Sequence, residues 1–147
     1  MDFLYQDPYP ILKDDTHYKK LTSDYVKVEQ LGDREILVVD PKGLELLAQE
    51  AMDDVSFMLR SAHLQKLRNI IEDPEATDND RFVAYNLLQN AAVAVEGQLP
   101  SCQDTGTAIV VAKKGENVYT GVDDGEWLSK GIFNTYQNKN LRYSQIV

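Results

Sequence analysis

The residues best suited to chemistry surround the only cysteine of the chain. Cys102 provides a thiol, Gln103 an amide and Asp104 a carboxylate, and Gly106 permits tight backbone geometry. The elements predicted below place this segment between a helix and a strand, where functional loops often lie. A lone cysteine is nevertheless most often a small buried hydrophobic residue.

Three functional interpretations of Cys102 compete with that structural one. A nucleophilic cysteine needs a base, and the two histidines, His17 and His63, stand at no recognisable spacing from it. A zinc site needs more sulfur or imidazole ligands, and an iron–sulfur cluster is normally bound by several cysteines. The residues alone leave all three open. His63 is more simply explained as a structural residue near a helix end.

Hydrophobic periodicity predicts the elements of the first two thirds of the chain. β-branched runs at 25–30 and 35–39, separated by a turn at 31–34, predict a β-hairpin. Three helices are expected next. The first is capped by Asp40 and starts at Pro41, the second spans about 62–71, and the third is capped by Thr77 or Asp78 and ended by Gly97.

After Pro100 the pattern becomes β-branched again. Residues 107–112 and 117–120 predict a second hairpin, joined through Lys114-Gly115-Glu116, and Asp123 or Asp124 caps a last helix. The prediction is an α+β fold with several helices packed on a small, mostly antiparallel sheet. Residues 1–147 are expected to form one domain, with an extended, apolar arm over residues 1–20.

Composition excludes several classes of function. The formal charge is −9, with 15 basic and 24 acidic residues, which argues against a general binder of nucleic acid or anionic membranes. No apolar run approaches the ~18 residues of a membrane-spanning helix. One cysteine excludes an internal disulfide framework and predicts a reducing, cytoplasmic location.

Several motifs in one order resemble the N-terminal region of class I fumarate hydratases, the iron–sulfur hydro-lyases. The Cys102 loop, running on through the apolar segment to Lys113-Lys114-Gly115, carries the clearest similarity. The other similar stretches are Pro10-Ile11-Leu12-Lys13-Asp14-Asp15-Thr16, Leu21-Thr22-Ser23, Ser56-Phe57-Met58-Leu59-Arg60, Asn134-Thr135-Tyr136 and Asn140-Leu141-Arg142-Tyr143-Ser144-Gln145.

The resemblance implies roles for four residues. In that family three cysteines hold a 4Fe–4S cluster with one open iron. Cys102 matches the first ligand, and the other two belong to polypeptide that this sequence does not contain. Gln103 and Asp104 match residues lining the substrate site, with Asp104 able to accept a proton, and Arg142 matches an arginine that clamps a substrate carboxylate.

The implied protein is therefore the N-terminal domain of a larger enzyme. It would interconvert fumarate and (S)-malate, with a dicarboxylate substrate, the remainder of the enzyme as partner and a homodimer as the full assembly. The isolated chain is expected to be inactive. Two alternatives are the cluster-bearing subunit of a tartrate dehydratase and a non-catalytic interaction module. The catalytic base and the choice among fumarate, mesaconate and tartrate are not assigned.

Overall fold

The computed structural model describes residues 3–10, 13, 17–101, 107–139 and 141. A β-hairpin comes first, in which β1 (Val26–Leu31) pairs antiparallel with β2 (Arg34–Val39). Gly32 lies in the connecting turn with φ 61°, a conformation that glycine adopts without steric cost. The hairpin predicted from the sequence is confirmed.

Four helices follow the predicted boundaries closely. They are α1 (Pro41–Phe57), α2 (Ser61–Glu72), α3 (Asp78–Ala94) and α4 (Asp124–Asn138). Side-chain oxygens at the N-termini accept hydrogen bonds from otherwise unpaired backbone N–H groups, as Asp40 does from Lys42 and Asp123 from Gly125. No described helix has the length and apolarity needed to cross a membrane.

The prediction of a second hairpin is wrong. Residues 107–112 form no strand, and only Val118–Tyr119 (β3) joins the sheet, pairing parallel with β2. The sheet order is β1-β2-β3. A strand exists only where a neighbour completes its hydrogen-bond ladder, and no described strand pairs with residues 107–112. The chain is nevertheless α+β, as the sequence predicts.

The helices pack as two pairs, α1 with α4 and α2 with α3. Gly131 marks the tightest point of the first pair. A Cβ atom at this position would lie 2.3 Å from the carbonyl oxygen of Glu45 and 2.8 Å from the Cβ of Ala48. The absence of a side chain therefore sets the separation of α1 and α4.

We expect Gly131→Ala to destabilise the chain. Helix propensity alone favours alanine by about 1 kcal/mol, whereas forcing a methyl group against fixed backbone typically costs about 1–3 kcal/mol. Urea unfolding followed by circular dichroism measures the net sign. Gly115→Ala is the matched control, because its added Cβ would meet only Val118 at an ordinary 3.5 Å. A Gly131→Ala variant as stable as the wild type would contradict the proposed close contact.

Candidate functional site

The residues that the sequence marks as functional lie outside the described part of the chain. Cys102, Gln103, Asp104 and Arg142 all belong to this group. The structure does describe Ser101, directly before Cys102, and Leu141, directly before Arg142. Their contacts show where each candidate segment begins.

Ser101 is anchored at the C-terminal end of α1. Its backbone N–H donates to the carbonyl oxygen of Ser56 at 2.8 Å, and its hydroxyl lies 3.4 Å from Oδ1 of Asn90 on α3. Both serines are buried. The last carbonyls of a helix have no intrahelical partner, so the Ser101 N–H satisfies one of them. The chain therefore enters the cysteine loop from a fixed point.

Leu141 is anchored at the same helix end. Only 1% of its surface is exposed, and it forms a small core with Phe57 and Tyr136, against which Met52 and Ile132 pack. The Leu141 N–H also donates to the carbonyl oxygen of Tyr136 at 3.1 Å. Leu141 follows α4 and immediately precedes Arg142.

Ser56 and Phe57 are consecutive residues, so their Cα atoms lie about 3.8 Å apart. Ser101 binds one and Leu141 packs against the other. The residues before Cys102 and before Arg142 therefore both contact the C-terminal end of α1, although 40 positions separate Cys102 from Arg142 in the sequence. This convergence is the arrangement that a site shared by the two segments requires.

The chain beyond the cysteine loop is held by a charged cluster at the start of α4. Nζ of Lys114 lies 2.5 Å from Oδ2 of Asp124, and the hydroxyl of the buried Thr120 donates to Oδ1 of the same carboxylate. The hydrogen bond from Lys114, followed by that from Thr120, holds the pKa of Asp124 below its ordinary value. One carboxylate thus connects the segment after the loop to α4.

The described residues contain no group of three or more histidine, cysteine, aspartate or glutamate side chains that could hold a metal ion. His17 is exposed, and His63 is exposed in the first turn of α2. Lys139 lies near the Leu141 anchor, with Nζ 5.5 Å from the centre of the Phe57 ring and 3.2 Å from Oδ1 of Asp53.

Comparison with known proteins identifies the class. Residues 45–147 match the family described as fumarate hydratase (fumerase). The chain is 55% identical over 143 residues to the anaerobic class I fumarate hydratase of Escherichia coli K12, covering 97% of this chain and 26% of that protein. It is 53% identical to the aerobic class I enzyme of Salmonella typhimurium LT2, with 97% and 25% covered.

The chain therefore belongs to the fumarate hydratase family. More particularly, it corresponds to a region of class I fumarate hydratase, as its motifs suggest. A protozoan relative, the mitochondrial fumarate hydratase 1 of Leishmania major, is 50% identical over 90% of this chain and 25% of its own length. The chain spans about a quarter of the length of the curated relatives it matches.

Sequence reasoning missed the anchoring residues. Nothing in local spacing joins Ser101 to Ser56, because the contact crosses 45 positions of the chain. One signal was present: Ser56 and Phe57 begin one of the family-like stretches, although the resemblance assigned them no role. Leu141 likewise stands directly before the arginine that the resemblance singles out.

We expect Leu141→Ala to destabilise the chain by about 2–5 kcal/mol, because it leaves a cavity in a closely packed core. Leu99→Ala removes the same atoms from a side chain that is 64% exposed, so its effect should be small. Chemical unfolding of the two variants tests the difference. Equal stabilities would show that Leu141 does not anchor the segment before Arg142.

We expect the stabilising effect of Asp124 to disappear in acid. A carboxyl whose pKa is lowered by folding stabilises the folded state at pH values above its ordinary pKa of 3.8. That contribution is lost as the pH falls through the lower folded pKa. The stability difference between the wild type and Asp124→Asn should therefore be largest near neutral pH and shrink below pH 3.8.

Thermal unfolding over a pH series measures this difference. Asp78→Asn, in the first turn of α3, is the matched control, because it also removes an acidic residue from a helix N-terminus. The same pH profile for the two variants would mean that the contacts with Lys114 and Thr120 contribute nothing beyond the helix dipole.

Proposed function

We propose that this chain supplies one part of the active site of a class I fumarate hydratase that interconverts fumarate and (S)-malate. The observation that carries the proposal is the shared starting point of two segments at the end of α1. Ser101, before Cys102, binds Ser56, and Leu141, before Arg142, packs on Phe57. A cofactor ligand and a substrate-binding residue can therefore face a common substrate.

Each residue of the proposed site has a distinct task. The planar guanidinium of Arg142 pairs bidentately with one substrate carboxylate. The Gln103 amide donates a hydrogen bond to a substrate oxygen, and Asp104 accepts a proton from the hydroxyl group or water. A chain with a charge of −9 repels a dianion at long range, so substrate affinity depends on cations placed close to it, as Arg142 is proposed to be.

The cofactor proposed for this site is a 4Fe–4S cluster. The donor set of this chain does not complete it, because Cys102 is the only cysteine and such clusters normally take several thiolates. We propose that Cys102 gives one ligand and the remainder of the enzyme gives the others. When bound, the cluster supplies Lewis-acid activation of the substrate hydroxyl.

The full enzyme is proposed to be a homodimer in the cytoplasm. The lone thiol supports a reducing compartment. We propose fumarate rather than tartrate as the substrate, because the names of the matched relatives specify fumarate hydratases.

A full-length chimera tests the function. In it, this chain replaces the matched quarter of the anaerobic class I enzyme of Escherichia coli. We expect the chimera to convert fumarate to malate after anaerobic reconstitution with iron and sulfide. Cys102→Ser should abolish the cluster absorbance and lower the activity by about a hundredfold or more, since even loss of an outer-shell partner costs 10–100-fold.

Two controls accompany the chimera. Ser129→Ala, an exposed change on α4, should leave the absorbance and activity intact. The 147-residue chain alone should form no malate and retain no stable cluster. Malate formation by the isolated chain, or cluster absorbance retained in Cys102→Ser, would contradict the proposal.

A further inference from the structure

Residues 107–112 combine the sequence of an inner strand with the exposure of an unpaired segment. Thr107, Ala108, Ile109, Val110, Val111 and Ala112 form a continuous apolar or β-branched run rather than an alternating one. Such runs are typical of strands buried on both faces of a sheet. In the structure Ile109, Val110 and Val111 are 83%, 54% and 68% exposed.

Consecutive side chains of an extended segment point to opposite sides. Because three consecutive residues are exposed, both sides of the segment are uncovered. No backbone hydrogen bond joins residues 107–112 to another described residue. Both requirements of an inner strand, a paired edge and covered faces, are therefore unmet within the part of the chain that the structure describes.

The C-terminal end of the segment is held in place. Nζ of Lys113 lies 2.6 Å from Oδ2 of Asp7 in the N-terminal arm. The next residue, Lys114, pairs with Asp124 at the start of α4. The run is therefore joined to the start of α4 through Lys114, two residues after its last apolar residue.

α1 also leaves apolar side chains uncovered. Leu47 and Val55 are exposed, whereas Ala48 packs against α4 beside Gly131. Exposed apolar patches mark interaction sites, and here the exposed apolar residues lie on a helix as well as in the run 107–112.

Two occupants could cover these surfaces, namely a second copy of the chain and the polypeptide that relatives carry beyond the matched region. The matched relatives have about three quarters of their length outside the matched region. That polypeptide is large enough to cover both surfaces.

We propose that residues 107–112 form an inner strand of a sheet that the remainder of the enzyme completes, by adding an extended, apolar segment alongside them. The proposal rests on the proposed function only in assuming that this chain works as part of the longer polypeptide. The strand follows the cysteine loop directly, so the same partner would fix the exit of that loop as Ser101 fixes its entry.

Hydrogen exchange in the chimera described above tests the proposal. The amide protons of residues 109–111 should exchange at least ~10-fold more slowly in the chimera than in the 147-residue chain, as is expected when an open segment becomes part of a sheet. The amides of β2 are the internal reference, because they are paired in the hairpin in both proteins.

A pair of substitutions separates backbone pairing from side-chain packing. Val110→Pro removes the backbone N–H that a sheet requires, whereas Val110→Thr keeps the N–H and the β-branched shape. We expect Val110→Pro to prevent the protection of residues 109–111 in the chimera and Val110→Thr to retain it. In the isolated chain, where Val110 is unpaired, both variants should show the helical circular dichroism of the wild type.

Several results would overturn the proposal. The first is a folded chimera in which residues 109–111 exchange as fast as in the isolated chain. The second is a chimera that does not fold. The third is a Val110→Pro chimera that retains the protection of residues 109–111. Concentration-dependent protection in the isolated chain, with a doubled mass, would identify a second copy as the occupant instead. Hydratase activity is measured separately: protection without activity would contradict only the proposed function, and activity without protection only the added strand.

Discussion

The close crossing of α1 and α4 at Gly131 is the constraint on which the candidate site depends. At that crossing the two helices also exchange polar contacts. The Asn134 amide donates to Oε1 of Glu45 at 2.8 Å, and the Thr135 hydroxyl donates to the carbonyl oxygen of Gln49 at 3.2 Å. One turn later, α4 delivers Tyr136 and then Leu141 to Phe57. A side chain at 131 would separate the helices and move the start of the Arg142 segment away from the end of α1.

Small residues and polar contacts act beside a hydrophobic core in this arrangement. Gly131 of α4 approaches Ala48 of α1 closely, and Phe57 of α1 packs with Tyr136 of α4 and Leu141. Close approach of two backbones permits carbonyl groups and short side chains to form specific contacts. The positions of Ser101 and Leu141 therefore follow from a few directional hydrogen bonds and one small core.

The parts of the fold that the sequence predicted are those governed by nearby residues. The hairpin turn at Gly32 and the cap at Asp40 depend on contacts within a few positions, and both were predicted correctly. The strand at 107–112 was not, because its formation depends on a partner rather than on the apolar run itself. The pairing of Ser101 with Ser56 was likewise invisible, since long-range contacts leave no periodic signal. Cys102 stood out by its residue type, but its role and that of Arg142 were assigned only through family resemblance.

The proposed sharing of a site between this chain and the remainder of the enzyme has an energetic consequence for this chain. Ordering one residue costs about 1–2 kcal/mol of conformational free energy. Ser101 and Leu141 are already fixed on α1, so ordering them adds no cost when the remainder of the enzyme binds. Burial of the exposed apolar residues at 107–112 then favours association by about 25 cal/mol for each Å² removed from water. The exposed run 107–112 directly follows the proposed cysteine loop in the sequence, so its burial would favour the same association that the proposed site requires.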